Sequence, residues 1–229
     1  ALKYRPKNFN ELIGQSIMVQ TIVNSIKFNK IPNAYLLTGI RGTGKTTTAR
    51  LIAKALNCSK NFLTEKNCDC SNCKEIANSK HLDVIEMDAA SKTGIDDIRE
   101  LIESSKYNPT SAKYKVIILD EIQMLSKSAF NGLLKTLEEP PPHLKFIFAT
   151  TEVKKIPITI LSRCQRFDLH RIGNEKLISH LLDISKKENI IIKKEALALI
   201  VRYADGSMRD GLSLLDQAIV NGKDQISSE

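Results

Sequence analysis

The sequence predicts an α/β protein: a parallel sheet with helices on both faces, followed by a purely helical segment. Three observations lead there. Short apolar runs alternate with helix-like stretches from Ala34 to Leu169. The runs are continuous rather than alternating with polar residues, which marks strands buried on both faces. After Arg171 the strand signals stop, and the charge balance changes at the same place. Residues 1–170 carry 25 Lys/Arg against 17 Asp/Glu, whereas 171–229 carry nine of each. The expected division is therefore 1–170 and 171–229.

In chain order, Ser16 to Asn29 reads as an amphipathic helix with Ser16 as its cap. Strands are expected over Ala34–Thr38, Asp83–Asp88, Lys115–Leu119, Lys145–Thr150 and Gln165–Leu169. Between them, helices are expected near Lys45–Asn57, Gly94–Tyr107 and Ser126–Glu138. In the first of these, Leu51, Ile52, Ala55 and Leu56 share one face at helical spacing. Three helices follow, near Asn174–Asn189, Lys194–Ala204 and Met208–Asn221, the last two separated at Asp205-Gly206.

Composition excludes some classes. A hydrophobic fraction of 42% and a charged fraction of 26% are those of a globular chain. The apolar run Val116–Leu119 is too short to span a bilayer, and the first residues lack the apolar core of a secretory signal. A cytoplasmic address and no membrane partner are expected. The net charge of +8 lies wholly in the first 170 residues. It fits an anionic partner such as nucleic acid or nucleotide, or equally a solvated Lys-rich surface.

Gly39-Ile40-Arg41-Gly42-Thr43-Gly44-Lys45-Thr46 matches the phosphate-loop pattern at every fixed position. Glycines let backbone N–H groups close around phosphate oxygens without Cβ clashes. Lys45 supplies a cation for the terminal phosphates and the Thr46 hydroxyl can ligate Mg²⁺; Thr47 stands beside it. The helix that begins here points its positive end at the same phosphates. A strand runs in and a helix runs out, so a chance glycine-rich turn does not account for the match.

Val116-Ile117-Ile118-Leu119-Asp120-Glu121 supplies an acidic pair at a strand end, where ligands of open α/β sheets bind. Asp120 would hold Mg²⁺ and Glu121 would act as general base toward a water. The run Phe146 to Thr151 ends in two hydroxyls. One of them could bond the water or the terminal phosphate, or the pair could simply end the strand.

Cys58, Cys68, Cys70 and Cys73 put four thiols within 16 residues, enough for a tetrahedral structural zinc site. Free cysteines, or a redox pair at Cys70 and Cys73, are the other readings. Cys164 stands apart as a small buried residue.

Beyond these motifs, the chain resembles the gamma/tau family of bacterial DNA polymerase III, clamp-loader ATPases of the AAA+ class. The resemblance rests on Tyr4-Arg5-Pro6 with Ile13-Gly14-Gln15, the phosphate loop into Ala49-Arg50-Leu51, and Ala55-Leu56-Asn57-Cys58. It continues through Asp88-Ala89-Ala90-Ser91, Asp120-Glu121 and Leu133 to Pro140 in the run Leu-Leu-Lys-Thr-Leu-Glu-Glu-Pro. Ala149-Thr150-Thr151, Ile160-Leu161-Ser162-Arg163-Cys164 and Gly206-Ser207-Met208-Arg209-Asp210 complete it, so that essentially the whole chain is covered.

The resemblance implies an ATPase motor that loads a sliding clamp onto primer-template DNA, with ATP, Mg²⁺ and Zn²⁺ as cofactors. It implies a fold with an inserted zinc module near 58–73 and a three-helix lid. Its partners would be delta, delta-prime and further gamma/tau copies, the clamp, and the DNA backbone. Position by position, Arg163 resembles a finger that reaches ATP on the neighbouring subunit. Thr151 matches sensor 1 and Arg209 sensor 2, while Arg5, Pro6 and Ile13 resemble the segment around the adenine. Lys92, Thr93, Arg99 and Lys135 match DNA-backbone positions.

Three departures stand out. Gln123 occupies the place of a family His, Cys68 is shifted by one with Asn67 in its place, and the chain stops at Glu229, before the family's helical collar. The two motor domains alone, monomeric, are the expectation. Two other readings of the same pattern are a branch-migration helicase and a non-hydrolysing stator like delta-prime. The Ser162-Arg163-Cys164 run and the cysteine cluster speak against the first. The intact Lys45-Thr46 and Asp120-Glu121 speak against the second.

Overall fold

The computed structural model describes residues 2–60, 62–63, 68–91, 94–221 and 225–226. Its main sheet contains β1 (Ala34–Thr38), β2 (Val84–Asp88), β3 (Lys115–Asp120), β4 (Leu144–Thr150) and β5 (Gln165–Asp168). All are parallel, in the order β2-β3-β4-β1-β5. Parallel neighbours need crossovers. Five helices belong to this part: α1 (Ser16–Lys27), α2 (Lys45–Asn57), α3 (Ser71–Ala77), α4 (Ile95–Ser105) and α5 (Lys127–Glu138), with a short α6 (Ile158–Leu161).

The continuous apolar runs resolve into two cores, one on each face of the sheet. Tyr35 and Leu37, Val116 and Ile118, Ile147 and Ala149 point to the face covered by α1 and α2. Leu36, Ile117 and Leu119, Phe146 and Phe148 point to the face covered by α4 and α5. Side chains alternate across a strand, so a strand buried on both faces must be apolar at every position. Each such side chain contributes roughly 1.5–3 kcal/mol when fully buried.

After β5 come α7 (Asn174–Lys187), α8 (Lys194–Ala204) and α9 (Met208–Asn221), packed through Leu177, Leu181, Leu197, Val201 and Leu215 into a third core. Tyr4 and Ile13 from the start of the chain lie against this core. A short parallel pair, β6 (Ile191–Ile192) with β7 (Gln225–Ile226), adds to the three helices the sequence predicted.

Two local expectations change. Ser16 is the first residue of α1 rather than its cap; the cap position is Gln15, whose side chain makes no capping bond. Gln15 instead pairs with the backbone of His170, donating to its carbonyl at 2.8 Å and accepting from its N–H at 3.2 Å. No helix was expected in the cysteine segment, yet it contains α3, with Cys73 and Ile76 buried. Phe62 nearby is buried and meets Phe9 edge-on at 5.8 Å.

Asp83 braces the lower edge of the sheet. It is 1% exposed, and its carboxylate accepts N–H bonds from Thr110 at 2.8 Å, Ser111 at 2.8 Å and Ala112 at 3.0 Å. Burial alone would raise its pKa, but these donors outweigh burial and hold it below the ordinary carboxylate value. The group therefore stabilises the fold above its unfolded value of about 3.9, and that contribution fades as pH falls through the lower folded value. Asp83→Ala leaves three N–H donors and the Ser111 hydroxyl without their acceptor and should cost about 1–3 kcal/mol in urea denaturation at pH 7. The difference between variant and parent should shrink below about pH 4; a constant difference across pH would contradict the assignment.

Candidate functional site

Strand order decides what can meet. β4 lies between β1 and β3, so the loop leaving β1 and the acids ending β3 flank the end of β4. Thr38 is level with Thr150 across that junction. A cavity of about 380 Å³ opens here. It is lined by Gly42, Thr43, Gly44, Lys45, Thr46 and Thr47 together with Asp120 and Glu121. Arg5, Pro6 and Ile13 contribute from the N-terminal segment, and Arg209 from the lid.

The loop conformation requires its glycines. Gly44 has φ +98°, and no atom lies within 4 Å of where its Cβ would be, so the backbone faces open space. Gly42, at φ +78°, would place a Cβ 1.9 Å from Ser207 Oγ, just before α9. The loop therefore touches the lid directly. Gly39 is outside the cavity lining; its carbonyl accepts from Lys45 Nζ at 2.9 Å, and Ile40 O accepts at 3.1 Å.

Lys45 is 6% exposed. Burial lowers its pKa, and the facing carboxylates of Glu121 and Asp120 oppose that shift. Thr46 Oγ1 donates directly to Asp120 Oδ2, joining the two halves of the site. Two hard oxygen donors in contact at the cavity wall fit a magnesium ion. Arg5 is lowered by burial and by the positive charge of Arg50, against Glu86 which raises it, with Arg209 lowering it further. Arg50 and Glu86 form a two-pronged pair, both bonds 2.7 Å. The cavity thus holds poorly solvated cations, an arrangement that favours a polyanion.

Thr151 does not line the cavity but donates to Glu121 Oε2 at 3.0 Å. Arg163 lies away from it: its guanidinium donates to Thr159 O at 2.6 Å and to Glu138 Oε1 at 2.6 Å. Arg99 in α4 is exposed and pairs with Asp96, and Lys135 in neighbouring α5 is exposed. Lys92 and Thr93 lie outside the described residues.

The four thiols converge. Cys58, Cys68, Cys70 and Cys73 place their sulfurs within 4.8 Å of one another, with Cys58 3.3 Å from Cys68 and 3.9 Å from Cys70. Tetrahedral thiolates about 2.3 Å from a metal sit roughly 3.8 Å apart, so the cluster could hold a metal ion. The shift of Cys68 does not take it out of the cluster. Burial pushes the Cys58 thiol up to about 11. Burial also opposes ionisation of Cys70, but hydrogen bonds from Ser59 and from the Cys73 N–H bring it down to about 6. Cys164 is half-buried against the second core, and that burial pushes its thiol up to about 12.

Some of the lining escaped the sequence reading. Leu12, Ile172, His180, Met208 and Leu212 also line the cavity. Burial, then Lys187, hold His180 below the ordinary imidazole value, against Asp183 and Glu11. No motif points to a lone His on a lid helix. Gln123 had a signal, its position two residues after the acids, and it proves to bond Glu121, Thr150 and Thr151.

A family model described as DNA polymerase III, delta subunit, matches residues 14–173, and one described as DNA polymerase III clamp loader subunit, ATPase lid domain, matches residues 176–224. The chain belongs to the DNA polymerase III clamp-loader family. It is 45% identical over 229 residues to the DNA polymerase III subunit tau of Salmonella typhimurium, covering 100% of this chain and 36% of that one. It is 51% identical over 215 residues to the gamma/tau subunit of Mycoplasma genitalium, covering 94% and 36%. The chain thus spans about a third of the length of these relatives (36%). In fold it is similar to the Thermotoga maritima RuvB Holliday junction branch migration motor, with a TM-score of 0.71 at 20% identity. That match covers 98% of this chain and 70% of that one. This is an AAA+ fold with a helical lid.

Proposed function

We propose that this chain is the ATP-binding and ATP-hydrolysing part of a bacterial clamp-loader subunit, with residues 1–170 as nucleotide-binding domain and 171–229 as lid. One observation carries the reading: a single cavity joins the phosphate loop, Lys45, Thr46, Asp120 and Glu121 to Arg209 of the lid. Loop amides and Lys45 would bind the phosphates, and Arg5, Pro6 and Ile13 the base. Magnesium, held by Thr46 and Asp120, would offset charge on the terminal phosphates. Glu121 would take a proton from the attacking water, with Thr151 beside it. Arg209 would join lid position to the nucleotide.

Arg163 cannot serve its own cavity from where it sits. A guanidinium outside its own site suits service on a neighbouring subunit's ATP. Further gamma/tau copies, delta and delta-prime are the proposed neighbours, with the sliding clamp and primer-template DNA as substrates of the assembly. Lys92, Thr93, Arg99 and Lys135 are proposed backbone contacts, which bind without reading sequence and weaken with salt. The cysteine cluster is proposed as a structural zinc site: four thiolates leave no open position for catalysis. Likeness to RuvB at 20% identity is a likeness of fold; it does not favour branch migration over clamp loading.

Lys45→Ala removes the one buried cation of the loop and should weaken binding of a fluorescent ATP analogue by about 10–100-fold. Unchanged affinity would refute the phosphate assignment. Arg163→Ala should leave that affinity intact while turnover in the assembled complex falls by about 10³-fold or more; equal turnover removes the claim of action in trans. Metal analysis should find zinc at about one equivalent per chain, lost in Cys73→Ser, with affinity falling as pH is lowered because the thiols must ionise. Zinc-free protein with a native circular dichroism spectrum would rule out the structural role.

A further inference from the structure

Gln123 lies in the 3-10 turn Ile122–Met124 that follows Glu121. Its carboxamide bridges the end of β3 to the end of β4. Oε1 accepts from Thr150 Oγ1 at 2.7 Å, and Nε2 donates to Glu121 Oε2 at 2.6 Å and to Thr151 Oγ1 at 3.0 Å. Thr151 Oγ1 in turn donates to the same Oε2 at 3.0 Å. The proton count closes. A carboxamide has two N–H donors, one used on Glu121 and one on Thr151. Thr151 has one hydroxyl proton, spent on Glu121, and Thr150 spends its own on Gln123. Thr150 is fully buried, so water cannot replace its partner.

Two consequences concern Glu121. Both bonds end on Oε2, which leaves Oε1 without a donor among the described residues. Glu121 also has a backbone φ of +49°, uncommon for a residue with a Cβ. A side chain on such a backbone is aimed by its partners, and Gln123 is the shortest of these contacts.

We propose that Gln123 is a positioning residue for hydrolysis. Its carboxamide joins Glu121, Thr150 and Thr151 into one unit, fixing Oε2 so that Oε1 is the oxygen that receives the proton of the attacking water. The proposal rests on the reading of Glu121 as general base. Gln123 does not line the cavity. It acts on the rate through Glu121 and has no part in binding.

The test uses the full-length subunit assembled with its partners, measuring steady-state ATPase against ATP concentration, and an ATP-analogue titration of each variant chain. Gln123→Leu, nearly the same size without donors or acceptor, should lower kcat by about 10–100-fold, the scale of a displaced catalytic group. KM and analogue affinity should stay within about twofold of the parent. Gln123→His at pH 8, whose neutral ring offers one donor and one acceptor, should recover most of the loss. Thr151→Val combined with Gln123→Leu should lose little more than the worse single variant, since both act on one oxygen.

Analogue binding near the parent's value shows that a variant is folded; if Gln123→Leu fails that check, the shorter Gln123→Asn, which keeps both kinds of group but falls short of Glu121, should show the same kcat loss. Glu121→Gln separates the two claims. If it turns over at the parental rate, the base assignment falls and this proposal with it. If it is inactive while Gln123→Leu, or Gln123→Asn in its place, keeps the parental kcat, the role of Gln123 alone is overturned. A loss confined to KM, or no recovery with His, also overturns it, because a merely structural role would produce either.

Discussion

The hydrogen bond from Thr46 to Asp120 is the contact on which the site depends. It joins the first turn of α2 to the last residue of β3, two elements far apart in sequence and separated in the sheet by β4. Only the order β3-β4-β1 lets the two meet over the end of the intervening strand. An order with more strands between β1 and β3 would separate the loop from the acids. Burial supports the order β3-β4-β1: these strands are buried along almost their whole length, and apolar layers on both faces keep all three inside the sheet, with β2 and β5 at its edges. The chemistry of the cavity thus follows from the packing of the sheet beneath it.

Charge is deployed against solvation in the same region. Lys45 and Arg5 are both held below their ordinary values by burial. Their partners are incomplete: Lys45 bonds two carbonyls of its own loop, and Arg50 occupies Glu86 with both prongs. Desolvated cations of this kind are costly unless an anion arrives. The energy that would be released on meeting a triphosphate is therefore stored partly in the fold. The lid shares in it, because Ser207 lies against Gly42 and Arg209 lines the same cavity. On the proposed reading, loop and lid cannot respond to nucleotide independently.

Much of this was legible in the residues. Continuous apolar runs marked β1, β3 and β4 within a residue, because burial on both faces admits no polar alternation, whereas the edge strands β2 and β5 carry exposed polar residues. The loop from Gly39 to Thr46 and the pair Asp120-Glu121 were legible because their chemistry needs fixed residue types at fixed spacing. What escaped was decided by tertiary contact. Ser16 looked like a cap, yet Gln15 takes that position and spends its side chain on His170, 155 residues away. No helix was expected in the cysteine stretch, where few residues are apolar. Phe62, Cys73 and Ile76 suffice, since they dock on a core already built by α2. His180 carries no local pattern that could have announced it.

Gln123 shows where local pattern and site chemistry part. By sequence it was only a departure two residues past the acids. In the fold, the turn after β3 swings it across to β4, where it uses both of its N–H donors and its carbonyl oxygen. Thr150 and Thr151, which looked interchangeable as two hydroxyls ending a strand, are thereby distinguished. Thr150 is buried, and among the described residues its hydroxyl bonds the carboxamide and the Glu152 N–H. Thr151 is exposed and bonds the carboxylate itself. One strand end thus supplies an anchor and, one residue later, a group poised at the acid, and the side chain between them decides which is which.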